Sequence, residues 1–199
     1  MSERAGRPAT RTALLDAMQR LLERDGLGVC TSTAVAAEAG LSAGTFYTYF
    51  EDRSAALAAL FEQRLDQIVA AVAQALTSDR LLDEGLQATV DAAVGATIEQ
   101  YRHHAPVLRA ALASVQTNHR IRTVYWERHA ASVAQVQLFL KRGAAAGMVR
   151  ADGHRALAHT VLLLLQGLNN PVVLAATDRR LVSAIRRTVV KALADALAP

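Results

Sequence analysis

A short segment near the N-terminus concentrates side chains suited to phosphate. Between residues 31 and 49 hydroxyl groups are interspersed with alanine and glycine, and four of them are placed to donate to phosphate oxygens: Thr31, Thr33, Tyr47 and Tyr49. Neutral donors hold a nucleic-acid backbone without adding positive charge to the protein. The chemistry that this segment indicates is therefore the binding of nucleic acid.

Two short helices joined by a tight turn must position these groups. Thr31 or Ser32 begins the first helix, and Gly40 ends it because glycine adopts the left-handed conformation without a Cβ penalty. Ser42 then caps a second helix over residues 43–49. This spacing predicts a helix-turn-helix whose second helix enters the major groove of DNA. The residues expected nearest the base edges are Ala43, Gly44 and Thr45.

Three arginines, Arg4, Arg7 and Arg11, lie close to the start of the first predicted helix. A cap at Thr10 or Thr12 would leave them in a lead-in segment from which they reach phosphates or a minor groove. A solvated surface tail explains them equally well. The overall charge of +4 is only mildly basic, and the first fifty residues hold equal numbers of arginines and acidic residues. Charge alone therefore does not establish a nucleic-acid partner.

The segment from Thr31 to Arg53 resembles the signature of the TetR family of bacterial transcriptional regulators. The matching elements read Val35-Ala36, Ala39-Gly40-Leu41-Ser42, Gly44-Thr45-Phe46-Tyr47 and Tyr49-Phe50. Arg53 stands where the family has a lysine that meets a phosphate, whereas Cys30 and Ser32 depart from the family pattern outside the recognition helix. The resemblance covers about residues 10–60 and implies a dimeric regulator that binds double-stranded operator DNA.

The rest of the chain predicts more helices and little or no sheet. Asp52 caps a long fourth helix, and apolar periodicity predicts further helices at about residues 81–103, 106–116, 119–147, 153–173 and 178–197. Pro106 suits the first turn of its helix. The expected fold is all-α with about nine helices. We expect a DNA-binding domain over residues 1–52 and a helical sensing and dimerisation domain over residues 53–199.

The resemblance further implies a small-molecule effector site inside the second domain and a homodimer formed by the last two helices. Apolar stripes in residues 154–168 and 181–197 permit this pairing, although burial within one subunit explains them almost as well. Candidate effector contacts are polar or aromatic side chains expected on apolar inner faces, each with an ordinary structural explanation as well. They are Tyr101, Gln116, Trp126, Phe139, Gln166 and Asn169.

Other classes of function find no support in the residue pattern. No nucleophile–base pair or glycine-rich phosphate loop is recognisable, and neither the six histidines nor Cys30 shows zinc-like spacing. We therefore expect no enzyme activity, cofactor or metal. The longest apolar run, Val161–Leu165, is too short to span a membrane, and the N-terminal arginines are not followed by the apolar region of a signal peptide. A lone cysteine fits a reducing compartment, so the expected location is the cytoplasm.

These features favour a ligand-responsive transcriptional regulator, most often a repressor in the family that the segment resembles. The alternative is a helical ligand-binding or scaffold protein without DNA-binding activity. Binding of double-stranded DNA separates the two hypotheses.

Overall fold

The computed structural model describes residues 3–174 and 178–199, without the side chains of residues 3–6, 171 and 172. These residues form helices and connecting turns, and no strand occurs among them. The all-α class predicted from apolar periodicity is confirmed. The chain divides into two compact units, which are Met1–Arg64 with Pro106–Trp126 and Leu65–Ala105 with Glu127–Pro199.

The division into units differs from the expected boundary after residue 52, because later segments pack with the N-terminal helices. Leu57, Leu60 and Phe61 of the fourth helix are buried. The amide group of Asn118 donates to the Ser54 hydroxyl, and its carbonyl oxygen accepts from the backbone N–H of Ile121 at 3.2 Å. A segment more than fifty residues away in sequence thus completes the first unit.

The N-terminal helices are α1 (Glu3–Arg24), α2 (Ser32–Glu38), α3 (Ala43–Tyr49) and α4 (Arg53–Ala75), with a 3₁₀ turn at Leu27–Val29. The expected cap at Thr10 or Thr12 is wrong, because α1 already begins at Glu3. Alanines and arginines before Thr10 favour helix, and the helix continues N-terminally from its buried part even though Pro8 lies inside it. Arg4, Arg7 and Arg11 therefore lie on α1 rather than in a lead-in segment.

The later helices are α5 (Ser78–Ser114), α6 (His119–Ala145), α7 (His154–Gly167), α8 (Pro171–Leu174) and α9 (Arg179–Leu197). Pro106 does not begin a helix, because α5 continues through it and the non-helical residue within α5 is Gly85, at φ 84°. One proline removes one backbone hydrogen bond, and Tyr101 and Val107 on either side of it are buried. Near the C-terminus α7 ends at Gly167, earlier than expected, and Pro171 opens the short α8.

The second unit has an apolar core that receives side chains from several helices. The buried residues include Val94 of α5, Leu140 of α6, Leu165 of α7 and Leu193 of α9. A small cavity of about 20 Å³, roughly the room for one water molecule, lies among these side chains and has entirely apolar walls.

Candidate nucleic-acid interface

The turn between α2 and α3 has the hydrogen bonds of a Schellman motif. Gly40 has φ +70°, and its N–H donates to the Ala37 carbonyl at 3.0 Å. The next N–H, of Leu41, donates to the Ala36 carbonyl at 2.8 Å. These bonds end α2 and reverse the chain within a few residues. Gly40 thus takes the left-handed conformation that its position predicted.

Side-chain caps begin both helices of this pair. The Thr31 hydroxyl accepts a hydrogen bond from the backbone N–H of Ala34 at 3.1 Å, and the Ser42 hydroxyl accepts one from the N–H of Thr45 at 3.1 Å. The Ser42 and Thr45 hydroxyls also lie 2.9 Å apart, within hydrogen-bond distance. Each cap satisfies a backbone donor that the first turn of a helix leaves without a partner. Together they fix where α2 and α3 start.

Two phenylalanines anchor α3 in the first unit. Phe46 is fully buried and Phe50, which follows the helix, is almost so. Their ring centroids are 5.6 Å apart. A helix of seven residues is not stable alone, and buried aromatic side chains supply the missing stabilisation. The anchored side of α3 is therefore defined, and its opposite side faces solvent.

The solvent-facing side of α3 consists of Gly44, Tyr47 and Thr48. Tyr47 is 57% exposed, and no hydrogen bond from its hydroxyl to another described residue is present. Thr48, which the sequence reading missed, lies one turn after Gly44 and donates to its carbonyl at 3.1 Å. Its four-residue spacing from Gly44 places both residues on one face of the helix, and this spacing is the sequence signal that identifies Thr48. Among the other predicted α3 contacts, Ser42 is exposed and Ala43, Thr45 and Tyr49 are half-buried.

The basic residues near this face are held by different contacts. Arg11 of α1 lies over the Phe50 ring, with its guanidinium carbon 5.4 Å from the ring centroid. Arg53, the first residue of α4, donates a long hydrogen bond of 3.4 Å to the Leu27 carbonyl. Both arginines are exposed, as are Thr31 and Thr33 at the start of α2. The charges of Arg11 and Arg53 remain accessible to an anionic partner.

An ion-pair cluster braces α2 against α1. Glu38 accepts a hydrogen bond from Arg20 at 2.9 Å and one from Arg24 at 3.3 Å. The pKa of the Glu38 carboxyl is held below its ordinary value, chiefly by the hydrogen bond from Arg20 and further by Arg24. These contacts neutralise two of the arginines in the N-terminal region. The accessible positive charge is consequently smaller than the count of arginines suggests.

The junction between α3 and α4 is held by residues from much later in the chain. Asp52 accepts from the backbone N–H of Ala55 at 2.7 Å, as expected of a cap. Arg120 forms ion pairs with both Glu51 and Asp52. The pKa of Asp52 is lowered, first by the N–H of Ala55 and then by the charge of Arg120. No local pattern revealed Arg120, because its partners lie about seventy residues away in sequence.

The candidate effector contacts lie in varied surroundings. Phe139 lines the small apolar cavity of the second unit. Tyr101 is largely buried, and the Gln166 side chain lies within hydrogen-bond distance, 3.1 Å, of His129 Nδ1. Burial and the neighbouring His159 lower the pKa of His129. Asn169 is half-buried, whereas Gln116 and Trp126 are exposed.

Leucines are exposed on α7 and α9, which pack against each other in the second unit. They are Leu163 and Leu164 of α7, exposed by 64% and 36%, and Leu181 of α9, exposed by 43%. Other members of the predicted apolar stripes, such as Val161, Leu165 and Leu193, are buried within the chain. The stripes thus divide into a core-facing part and a solvent-facing part.

None of the helices in residues 3–174 and 178–199 combines the length and hydropathy of a membrane span.

Residues 14–61, from within α1 to within α4, match the family model of bacterial regulatory proteins of the tetR family. A comparison with curated protein sequences found no significant match. The family match contains the capped turn and α3 in full.

Solved structures resemble the whole chain. A TetR transcription regulator from Haloarcula marismortui has a TM-score of 0.79 at 15% identity, over 96% of this chain and 100% of that one. The fatty acid degradation regulator FadR from Bacillus halodurans has a TM-score of 0.73 at 17% identity, over 93% and 94%. SmeT, the repressor of the Stenotrophomonas maltophilia multidrug efflux pump SmeDEF, has 0.68 at 18%, over 95% and 90%. At these identities the similarity establishes a shared fold.

Proposed function

We propose that the chain is a DNA-binding regulator of the TetR family, whose model matches residues 14–61, and that it represses transcription until a small molecule releases it from its operator. The operator is double-stranded DNA, and the protein acts as a homodimer in the cytoplasm. SmeT, which shares the fold, is a repressor.

The observation that carries the DNA-binding part is the two-sided character of α3. Phe46 and Phe50 fix one side in the core, while Gly44, Tyr47 and Thr48 present small or hydroxyl-bearing side chains to solvent. A helix buried for structural reasons alone has no need of an exposed tyrosine whose hydroxyl bonds to no other described residue. This arrangement suits insertion into the major groove.

Within that interface the residues have two roles. Tyr47, Tyr49, Thr31, Thr33 and Ser42 bind phosphate oxygens through neutral hydroxyls, and Arg11 and Arg53 do so through charge; these contacts position the protein on the duplex. Ala43, Gly44 and Thr45 approach the base edges and set sequence preference. Substitution at Thr45 should therefore change which sequences are preferred, whereas loss of a phosphate contact should weaken binding to all sequences.

A selection experiment tests the DNA-binding proposal and identifies the operator at the same time. Random duplexes and fragments of the source genome are passed over the purified full chain at low salt, and the bound fraction is sequenced. We expect a two-fold symmetric motif with half-sites one helical turn apart, because a symmetric dimer presents two recognition helices. Failure to retain any duplex at low salt would reject DNA binding.

The effector part of the proposal depends on differential affinity. A ligand in the second unit shifts the protein away from DNA only if it binds better to a conformation in which the two recognition helices no longer fit successive major grooves. Tyr101, Phe139, Gln166 and Asn169 are the predicted contacts that lie in the second unit. Gln116 and Trp126, which the sequence also suggested, are exposed residues of the first unit and are not part of this proposed site. Compounds from the pathway encoded beside the selected operator are the ones to test, by measuring release of that duplex.

The exposed leucines of α7 and α9 support dimerisation through these two helices. Leu163 and Leu181 would each leave apolar surface in water in an isolated subunit. Pairing α7 and α9 with the same helices of a second copy buries that surface in a four-helix bundle. The dimer also supplies the second recognition helix that operator specificity requires.

A further inference from the structure

A cleft of about 730 Å³ lies between α5 and the N-terminal half of α9 in the second unit. Its size falls in the range of sites for small molecules. Unlike the small apolar cavity in the core, the cleft is open and its walls include charged groups from both helices.

The cleft arises because one face of α9 changes character along the helix. Val190, Leu193 and Leu197 follow one another at helical spacing and are buried in the core. The same face continues toward the N-terminus through Arg186 and Arg179, which line the cleft. Arginines thus occupy positions equivalent to those that pack the core two turns later. The apolar packing between α5 and α9 therefore ends where these arginines begin, and the cleft opens there.

Arg186 forms a fixed wall of this cleft. Its Nε and Nη2 atoms donate to the two carboxylate oxygens of Asp91 at 2.8 and 2.6 Å. The guanidinium lies across α5 at Gly95, where a Cβ atom would stand only 2.9 Å from Nη2. The absence of a side chain at Gly95 therefore gives Arg186 its place. Because its charge is paired, Arg186 is not the group that recognises a ligand.

Two other arginines keep unused donors. Arg102 of α5 donates one N–H to the Val173 carbonyl at 3.2 Å, and its guanidinium has further donors. Arg179 makes no hydrogen bond or ion pair with any other residue in the parts of the chain that the structure describes. Buried Ile98 and half-buried Val182 supply apolar surface beside them. Guanidinium groups recognise carboxylates and phosphates through paired N–H donors.

We propose that this cleft binds a small amphipathic anion. Its carboxylate or phosphate lies between Arg102 and Arg179, and its apolar part lies on Ile98 and Val182. The carboxylate of Glu99 also lines the cleft and opposes an anion, so it limits affinity. This site is additional to an effector site in the bundle core.

Dimerisation through α7 and α9 leaves the cleft open. The exposed residues Leu181, Thr188 and Ala192 lie on the opposite side of α9 from Arg179 and Arg186, because α9 turns by about 100° per residue. A second subunit seated on the exposed side does not cover the arginines. The site is therefore accessible in the dimeric full chain.

Isothermal titration calorimetry on the full chain tests the proposal, with octanoate and octyl phosphate as probes and octanol as the uncharged control. We expect at least one anion to bind and octanol to bind at least about tenfold more weakly. The double variant Arg102→Ala/Arg179→Ala should lose about tenfold or more in affinity for the anion. Glu99→Gln should strengthen binding by about threefold, because it removes a repelling charge.

Arg142→Ala, at an exposed arginine in the last turn of α6, is the matched control and should bind as the unaltered protein does. Circular dichroism checks that each variant is folded. The proposal is overturned if neither anion binds, if octanol binds as tightly, or if the folded double variant binds anion unchanged. The last outcome would place the anion at another site on the chain. No DNA is present, so these results are independent of operator binding.

Discussion

The phosphate contacts proposed for Tyr47 and Arg53 can be tested separately, because one would be neutral and the other charged. Tyr47 is 57% exposed, and its hydroxyl bonds to no other described residue. Tyr47→Phe should therefore leave the free energy of unfolding within about 0.5 kcal/mol of the original. Arg53 makes a single long bond of 3.4 Å at the surface, within the described residues, so Arg53→Ala should also cost little stability. Any large change in DNA binding then reports on DNA contacts.

The expected sizes follow from how many hydrogen bonds to phosphate each substitution removes. A hydrogen bond to a charged group contributes about 1.5 kcal/mol, and a dimer loses two, so Tyr47→Phe should weaken binding by roughly 3 kcal/mol, or about a hundredfold. Removing a neutral group leaves the dependence of affinity on salt unchanged. Arg53→Ala removes one phosphate neutralisation per subunit and should lower the slope of log affinity against log salt by about 0.9 per subunit, or about 1.8 per dimer.

Fluorescence anisotropy with a selected duplex, between about 50 and 200 mM salt, measures both quantities. Arg142→Ala, at the exposed arginine of the second unit, is the charge-matched control and should leave the slope unchanged. The phosphate assignment is wrong if Tyr47→Phe retains full affinity at every salt concentration. It is equally wrong if Tyr47→Phe reduces the salt slope as strongly as Arg53→Ala does.

Ser42→Ala should lower the free energy of unfolding by about 1 kcal/mol in urea titrations because it removes the cap of α3, whereas Ser42→Asn should retain most of it; equal stabilities would contradict the capping role. Asp52 has a lowered pKa in the folded protein, so its contribution is complete above its ordinary pKa of 3.8 and is lost as pH falls below it. Asp52→Asn should therefore lose less stability than the original protein in urea titrations below about pH 4. An acid dependence equal to that of the original protein would contradict the stabilising role of the Asp52 carboxylate. Leu163→Glu, on α7, should shift the sedimentation of the chain toward the monomer. Leu138→Glu, at an exposed leucine of α6, should not. Persistence of a dimer in the Leu163 variant would place the interface elsewhere.

Sequence reading succeeded where structure depends on neighbouring residues. The caps at Thr31, Ser42 and Asp52 all form, and Gly40 has the backbone conformation that its place after α2 requires. Each of these features needs only a side chain and a backbone group within three or four residues. A single sequence contains both members of each pair, so local capping rules predict them.

Sequence-based prediction was less successful where contacts between distant residues, or weak competing preferences, determine the structure. The sequence predicts too late a start for α1, because threonine caps well but does not prevent a helix from continuing through it. Pro106 was assigned a helix start because that is its most favourable position, yet α5 retains it inside. Arg120 could not be found, since nothing near it in sequence identifies Glu51 and Asp52 as its partners.

These local and distant contacts have different consequences for DNA recognition. Ser42 caps the start of α3 and Phe46 anchors it in the core, so the side that α3 turns outward is specified within a few residues. Arg120 instead pairs with Glu51 and Asp52 between α3 and α4, and Asn118 bonds to Ser54 at the start of α4. Sequence near α3 therefore specifies which side chains the helix presents to solvent, and residues about seventy positions later help specify how the segment after it is held. We therefore expect Arg120→Ala to weaken binding of a selected duplex, measured by fluorescence anisotropy, although Arg120 is not among the proposed DNA contacts.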